Sequence, residues 1–217
     1  MDYDAAWVLQ EELLNEVIAS KKQENSSEKA GYFLLVEHPH VFTLGNSGKQ
    51  DNLLVNEDFL TSKGAKFYKI NRGGDITYHG PGQIVGYPII NLEAFGIGVR
   101  DYVYLLEEII ISVLKHYDIS ATRLEGATGV WLDADHPSKS RKICAMGVRV
   151  SRSVTMHGFA FNINTDLEFY QLINPCGFTD KGVTSLAKEL GQVIDMEDVK
   201  ALVNEQFALI FNCNIQK

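Results

Sequence analysis

Hydrophobic positions recur every three to four residues in several stretches of the chain. This spacing predicts amphipathic helices over residues 4–20 and 101–117, and residues 167–172 and 197–211 also have a helical pattern. In the first helix, the polar residues 10–12 lie off the apolar stripe. The predicted buried faces consist of Ala6, Leu9, Leu13 and Val17 in the first helix, and of Val103, Leu106, Ile110 and Val113 or Leu114 in the second.

Short apolar or β-branched runs, bounded by Gly, Pro, Asn or charged residues, predict the strands. They cover residues 32–36, 41–44, 66–70, 84–91, 143–150 and 155–164, with a hairpin at 151–153. The strands follow one another in runs and do not alternate strictly with helices. We therefore expect an α+β fold, with a mixed α/β sheet and flanking helices, in a single domain over residues 1–217.

Composition narrows the class of protein. A chain of 217 residues that is 45% hydrophobic can bury a full core. It has no apolar run long enough to span a bilayer, and residues 1–7 lack the basic start and apolar stretch of a signal peptide. Three cysteines, none in a C-x-x-C pair, do not make a disulfide framework or a metal site. We expect a cytoplasmic protein with reduced thiols and no metal.

The net charge of −8 argues against general nucleic-acid binding, which depends on a basic surface. The charge is nevertheless unevenly placed, because residues 138–156 contain five basic side chains and no acidic one. Two interpretations stay open, a solvated strand edge with protective charges and a docking patch for an acidic partner. The five residues are Lys139, Arg141, Lys142, Arg149 and Arg152.

Residues 72–83, with the sequence RGGDITYHGPGQ, hold the densest set of chemically active side chains. One glycine pair follows Arg72 and a second follows Tyr78 and His79, and glycine lets a backbone approach a ligand closely. The glycine spacing misses a dinucleotide-binding fingerprint by one residue and leads into a strand, so we reject that interpretation. Two tight turns around a short strand are the alternative to a ligand-binding loop.

Other histidines and cysteines have simpler interpretations. His38 and His40 flank Pro39, which favours turn chemistry over a metal pair. His157 is either a core histidine or a site residue. Cys144, in an alternating strand, is expected to pack as a small hydrophobe, and Cys213 is expected to be inert.

Cys176 differs in its local setting. Pro175 keeps Asn174 out of the helical region, and Gly177 leaves one side of the thiol open. A cysteine nucleophile needs a neighbour that favours the thiolate, and one lysine at about 4 Å supplies enough Coulomb energy to lower the thiol pKa to about 7. Cys176 is thus a candidate for acyl transfer, with a buried structural cysteine as the alternative.

Three stretches together resemble one known family. They are residues 72–83, residues 141–149 (RKICAMGVR), and residues 157–162 (HGFAFN) leading to Asn174-Pro175-Cys176-Gly177. The likeness runs over nearly the whole chain and includes residues 36–39. On these motifs the chain resembles the octanoyl-[acyl carrier protein]:protein N-octanoyltransferases of lipoate biosynthesis.

The resemblance implies a biotin/lipoate protein ligase-like catalytic domain with Cys176 as the acyl-thioester nucleophile. It implies that Lys142 lowers the pKa of that thiol. Lys142, or His79 in reserve, is expected to be the base of the second step. The implied substrate-binding residues are Arg72, Gly73, Gly74, Asp75, Ile76, Thr77, Tyr78, His79, Ala145, Met146, Gly147, Gly158, Phe159 and Ala160.

The resemblance also implies the partners. The donor would be octanoyl-acyl carrier protein, with the acyl group on its phosphopantetheine arm, and no other cofactor is expected. The acceptors would be lipoyl domains of 2-oxoacid dehydrogenase E2 subunits and the glycine cleavage H protein. We expect a monomer that binds neither nucleic acid nor membrane. The alternatives are an ATP-dependent lipoate or biotin ligase, a lipoyl-domain amidotransferase, a cysteine thioesterase and a non-catalytic carrier-binding module.

Overall fold

Two β-sheets and five α-helices form the part of the chain that the computed structural model describes, residues 1–21, 30–174 and 181–216. The helices are α1 (Tyr3–Ser20), α2 (Glu57–Ser62), α3 (Val99–His116), α4 (Leu186–Leu190) and α5 (Met196–Ile210), with 3₁₀ turns at Gln50–Asn52, Leu92–Phe95 and Leu167–Leu172. The strands are β1 (Gly31–Val36), β2 (Val41–Leu44), β3 (Lys66–Lys69), β4 (Ile76–His79), β5 (Gln83–Ile90), β6 (Thr122–Leu124), β7 (Ala127–Leu132), β8 (Arg141–Ser151), β9 (Val154–Asn162) and β10 (Gly182–Val183).

The larger sheet has the strand order β1-β5-β9-β8-β7-β6, and all these neighbours are antiparallel. The two-residue strand β10 adds to β8 in parallel. The smaller sheet has the order β3-β2-β4, with β2 parallel to β3 and antiparallel to β4. The fold is therefore a mixed α/β arrangement, as the consecutive runs of strands predict.

The two faces of the larger sheet are covered by different helices. Along β5, Ile84 and Ile90 belong to the core that includes α3 and α5, whereas Val85, Tyr87 and Ile89 belong to the core that includes α1. This alternation follows from the two-residue period of a strand. The larger sheet is consequently buried on both faces.

The helix ends follow capping chemistry. The Asp2 carboxylate accepts a hydrogen bond from Asp4 N–H at the start of α1, and Asp195 accepts from Glu197 N–H and Asp198 N–H at the start of α5. Such caps satisfy backbone donors that have no partner inside the helix. Both helices begin one residue before their predicted positions.

The buried stripe of α1 differs from the prediction. Leu9 and Leu13 are only half-buried, while Leu14 and the polar Gln10 are buried. The reason is a specific hydrogen bond, in which the Gln10 side-chain oxygen accepts from His157 N–H on β9 at 3.0 Å. A hydrophobicity pattern cannot anticipate a polar side chain that is buried to satisfy a backbone donor.

Several elements were not predicted. They include β4 and the β6–β7 hairpin, and also α2, α4 and β10. Each of them spans six residues or fewer, and short elements carry little periodicity. No described helix is long and apolar enough to cross a membrane.

Candidate active site

A cavity of about 300 Å³ is lined by residues from both sheets. Strands β8 and β9 contribute small residues, Ala145, Gly147, Gly158 and Ala160, and these leave space above the larger sheet. Strand β4 and the residues before it line the cavity from the smaller sheet. The volume lies at the lower end of the range typical of small-molecule sites.

The three sequence motifs meet at this cavity. Residues 72–79 include the strand β4, and they also form part of the cavity wall. The two interpretations from sequence, a short strand between turns and a ligand-binding segment, are therefore compatible. Gly73 and Tyr78 are not among the described lining residues, and the Tyr78 ring packs with Phe42 and Phe169 in a separate core. The predicted residues that line the cavity are Arg72, Gly74, Asp75, Ile76, Thr77, His79, Lys142, Ala145, Met146, Gly147, Gly158, Phe159 and Ala160.

Lys142 lines the cavity because of an irregularity in β8. One residue step on β7, from Val130 to Trp131, is matched by two steps on β8, from Cys144 to Lys142. The extra residue is Ile143, and both Ile143 and Cys144 are buried in the core under α3. In a regular strand Lys142 and Cys144 would share a face. The β-bulge therefore places the lysine on the cavity side.

Strand β7 holds the Lys142 side chain. The ammonium donates a hydrogen bond to the Thr128 carbonyl at 3.0 Å and lies 4.7 Å from the centre of the Trp131 ring. Gly129 has φ +127°, and a Cβ there would lie 3.2 Å from Lys142 Cε. Glycine is required at this position for both its conformation and the space it leaves.

Cys176 lies outside the described residues, together with the rest of 175–180. Both flanks of this segment are attached to the cavity. On one side, Asn174 N–H donates to the Asn52 carbonyl at 2.8 Å, and the Asn52 side-chain amide donates to Asp75, which lines the cavity. On the other side, residues 181–183 line the cavity themselves.

A buried hydrogen-bond network connects His79 in the cavity wall to strands β5 and β9 of the larger sheet. His79 Nδ1 lies 2.9 Å from Gln83 Oε1, and Gln83 Nε2 donates to Asn162 Oδ1 at 2.9 Å. The Tyr170 hydroxyl donates to the same Asn162 oxygen, and burial raises its pKa to about 12. Burial also holds the pKa of His79 well below its usual value, so its imidazole is neutral.

Arg72 is a buried cation that joins the two sheets. Its guanidinium donates to the Thr43 carbonyl at 2.7 Å, to the Thr43 hydroxyl at 2.9 Å and to the Gly73 carbonyl at 2.9 Å. Its side chain lies beside Gly147 of β8. These bonds fix the loop that begins the motif of residues 72–83.

His157 is both buried and a cavity residue. Its φ is +60°, an unusual conformation for a residue other than glycine. Burial lowers its pKa to about 3, with smaller contributions from the positive charges of Arg72 and Arg149. His157 is thus a neutral histidine that is buried, as a core histidine would be, and also lines the cavity, as a site residue would.

The remaining candidates have structural contacts. His38 lies between the Tyr87 hydroxyl and the Met1 carbonyl, and His40 lies 2.7 Å from the Tyr78 hydroxyl. Cys144 is buried, and burial raises its thiol pKa well above the usual value. Among the described residues, no three His, Cys, Asp or Glu side chains are grouped so as to hold a metal ion.

The basic segment does not form one patch. Arg141 pairs with Glu189 at 2.6 Å and with Asp133, and Arg149 lies 3.9 Å from Glu11. Lys139 and Arg152 are exposed, but they flank opposite ends of the eleven-residue strand β8. At about 3.3 Å per residue they are roughly 40 Å apart.

Several residues in or behind the cavity wall were not predicted as site residues from the sequence. Thr128, Gly129 and Trp131 hold Lys142, and Gln83, Asn162 and Tyr170 form the network behind His79. The run Ala127–Leu132 after Gly126, which ends in Val130, Trp131 and Leu132, is a strand signal that could have located the first group. In the second group, Gln83 and Asn162 end the motifs of residues 72–83 and 157–162, but no local pattern marks them as partners of Tyr170, because the three side chains come together only in the folded chain.

Known sequences are similar to this chain over nearly its whole length. Residues 2–208 match the model of the lipoyl protein ligase A/B catalytic domain. An octanoyltransferase of Flavobacterium psychrophilum is 53% identical over 219 residues, covering 99% of this chain and 94% of that protein. An octanoyltransferase of Bacteroides fragilis is 56% identical over 198 residues, covering 91% of this chain and 88% of that protein.

Solved structures confirm the fold class. A bipartite lipoate protein ligase from Thermoplasma acidophilum, studied with its E2 lipoyl domain, aligns with a TM-score of 0.71 at 12% identity, covering 96% of this chain and 80% of that one. A lipoate-protein ligase A bound with ATP aligns with a TM-score of 0.69 at 12% identity, covering 94% and 81%. At such identities the likeness shows the fold alone. The matched family model and the close sequence relatives together show that the chain belongs to the lipoyl protein ligase A/B catalytic-domain family and, within it, to the octanoyltransferases, which are acyltransferases.

Proposed function

We propose that this protein transfers an octanoyl group from acyl carrier protein to a lysine of lipoyl domains through a thioester on Cys176. The observation that carries the proposal is the placement of Lys142 on the cavity face of β8, with both flanks of residues 175–180 attached to the same cavity. A lysine ammonium near the thiol would favour the thiolate that a nucleophile requires.

In the first step, the Cys176 thiolate attacks the carbonyl carbon of the octanoyl thioester on the phosphopantetheine arm. The C–S bond to the carrier breaks, and the carrier thiolate leaves and takes up a proton. Backbone N–H groups of the glycine-bearing loops would hold the oxyanion of the tetrahedral intermediate. The product is an octanoyl thioester on Cys176.

In the second step, the amine of the acceptor lysine attacks the acyl-enzyme, and the thiolate is released. An ordinary lysine is neutral in only about 0.04% of molecules at pH 7, so a base must take its proton. The lowered pKa of His79 makes its imidazole a weak base, which supports Lys142 for this role. His79 is the alternative candidate for this base.

The reaction needs no ATP, because conversion of a thioester to an amide is downhill. This separates the proposal from an ATP-dependent ligase, which would activate a free acid and would not require Cys176. The likeness to solved lipoate protein ligases concerns the fold and does not favour ligase chemistry here. A thioesterase would instead release octanoate to water, and an amidotransferase would take the acyl group from another lipoyl domain.

The proposed acceptors are lipoyl domains of 2-oxoacid dehydrogenase E2 subunits and the glycine cleavage H protein. We propose that the protein acts as a monomer in the cytoplasm and without a bound cofactor. Neither nucleic acid nor membrane takes part in the proposed reaction.

Intact-protein mass spectrometry tests the proposal. The enzyme is mixed with octanoyl-acyl carrier protein in the absence of ATP, beside Cys176→Ser and, as a matched control, Cys213→Ser. We expect one hydroxylamine-labile octanoyl group on the wild type and on Cys213→Ser, passed on to an added lipoyl domain. Cys176→Ser should carry no such group.

Transfer that appears only with ATP and free octanoate would replace the proposal with a ligase. Loss of the acyl group to water would indicate a thioesterase, and an adduct formed only from an octanoylated lipoyl domain would indicate an amidotransferase.

A further inference from the structure

Glu107 is a buried carboxylate in the middle of α3, and only 6% of its surface is exposed. Burying an ionised carboxylate is costly unless charged and hydrogen-bonding partners compensate. A hydrophobic side chain at this position could pack in the core without that cost. The contacts of Glu107 therefore need an explanation.

The two carboxylate oxygens have different partners. Oε2 lies 3.0 Å from Arg123 Nε on β6, and the same guanidinium reaches Glu108 Oε2 at 2.7 Å. Oε1 accepts a buried hydrogen bond from Gly129 N–H on β7 at 2.8 Å. Glu107 thus connects α3 to the strand that holds Lys142.

Gly129 stands between the two residues that contact the Lys142 ammonium. Thr128, one residue earlier, supplies the carbonyl that accepts from the lysine, and Trp131, two residues later, supplies the ring beneath it. Gly129 also has a backbone conformation, φ +127°, that only glycine adopts readily. A hydrogen bond from outside the ladder is a direct way to hold an irregular strand in this conformation.

The charged and titratable groups around Glu107 come from several elements. Among the described residues these are Arg123 from β6, Glu108 from α3 and Cys144 from β8, and the Lys142 charge acts on the same Cys144 thiol. Glu107 could therefore act on the site through its charge or through the Gly129 hydrogen bond. These two routes are separable by substitution.

We propose that Glu107 is the positioning residue of Lys142, acting through the hydrogen bond from Gly129 N–H that fixes the Thr128 carbonyl and the Trp131 ring. The inference rests on the proposed function, in which Lys142 favours the thiolate of Cys176. Glu107 itself does not line the cavity among the described residues, so its action is indirect.

The test is the pH profile of Cys176 alkylation by iodoacetamide, followed by peptide mass spectrometry in a Cys213→Ser background. Lys142→Met shows how far the profile moves when the lysine is absent. In this variant the midpoint of the alkylation profile should rise toward the unperturbed thiol pKa of about 8.5. Glu107→Met removes the acceptor, and Glu107→Gln keeps an oxygen for Gly129 N–H without the charge. Glu108→Met, which loses only a contact to Arg123, is the matched control.

We expect Glu107→Met to raise the midpoint by at least about 0.5 pH units, a loss of about threefold in rate below the midpoint. Glu107→Gln and Glu108→Met should stay within about 0.2 units of the parent protein. If Glu107→Met does not fold, as judged by circular dichroism, Glu107→Asp replaces it. Asp keeps the charge but is too short to reach Gly129, and it should shift the profile in the same direction.

Each other outcome overturns a defined part of the argument. A shift with Lys142→Met but not with Glu107→Met or Glu107→Asp overturns the inference and leaves the proposed function standing. Equal shifts with Met and Gln would assign the effect to charge and overturn the hydrogen-bond route. No shift with Lys142→Met would remove the lysine from the proposed function, and the inference with it.

Discussion

Three histidines, His38, His79 and His157, have a lowered pKa, and in each case burial is the main cause. Burial disfavours the charged imidazolium, so these side chains are neutral in the folded protein. In the unfolded chain they would bind protons below about pH 6.5. The folded state therefore becomes less stable as the solution becomes acidic.

The sign and size of this effect can be stated for His157. Its pKa is about 3 in the folded protein, so between pH 6.5 and 3 only the unfolded state gains the proton. At pH 5.5 this costs about 1.4 kcal/mol of unfolding free energy. Urea unfolding at pH 7.5 and 5.5 should show a loss that is about 1.4 kcal/mol smaller in His157→Asn than in the wild type, since Asn tolerates positive φ.

His116 is exposed at the end of α3 and provides the control. His116→Asn should retain the wild-type difference between the two pH values. Equal pH dependence of the wild type and His157→Asn would show that His157 is protonated in the folded protein and contradict the burial argument.

At the residue scale, the sequence located most of the cavity and missed its supports. The resemblance supplied Lys142 and the implied substrate-binding residues, and these do line the cavity, with Gly73 and Tyr78 as exceptions. Cys176, which it also supplied, lies outside the described residues. Gln10 and Glu107 were not predicted, because each is a polar side chain buried to accept one backbone N–H. Such pairings join residues that are distant in sequence and leave no local pattern.

Among the elements, the β6–β7 hairpin controls the site although it was not predicted. It carries two glycines with positive φ, Gly126 at +75° and Gly129 at +127°. The surroundings of the two differ. A Cβ at Gly126 would meet no atom within 4 Å, whereas one at Gly129 would lie 2.6 Å from the Cys144 carbonyl oxygen.

This difference makes a matched pair of substitutions. Gly126→Ala should lower the unfolding free energy by about 1 kcal/mol, the cost of a left-handed alanine. Gly129→Ala should cost about 2 to 4 kcal/mol, because strain and a backbone clash add. Chemical denaturation of the two variants measures both values, and similar losses would contradict the assigned packing of β7 against β8.

The long elements were predicted well because their periodicity is strong. The structure has α1 at Tyr3–Ser20, α3 at Val99–His116 and α5 at Met196–Ile210, each within two residues of its predicted bounds. The exact face of α1 was wrong, since Gln10 replaces Leu9 and Leu13 in the buried stripe. Short strands such as β4 and β6 span three or four residues, too few for a period to be measured.

For the whole molecule, the charge distribution limits how a carrier protein could dock. The chain has a net charge of −8, and carboxylates of the chain itself lie against two of the five basic side chains of residues 138–156. The exposed Lys139 and Arg152 stand at opposite ends of β8. An acidic partner therefore meets separate charges, each worth at most about 1 kcal/mol.

Steady-state kinetics with octanoyl-acyl carrier protein should reflect this arrangement. Lys139 lies near the end of β8 that carries Lys142, so Lys139→Ala should raise the donor KM up to about fivefold at low salt and not at high salt. Arg152→Ala, at the far end, should leave the donor KM unchanged. A steep salt dependence lost equally in both variants would instead support one continuous docking patch.

The bulge at Ile143 has a consequence for how the chain can vary in length. Removing Ile143 would make Lys142 the direct neighbour of Cys144 in a regular strand, and direct neighbours point to opposite faces, so the lysine would stay on the cavity side. A strand straightened without that loss would instead place Lys142 and Cys144 on one face and turn the lysine toward the core under α3. One codon could therefore be lost at this position without burying the charge, although the core would lose the Ile143 side chain. An ancestor of this protein could have gained that codon and kept its lysine in the cavity.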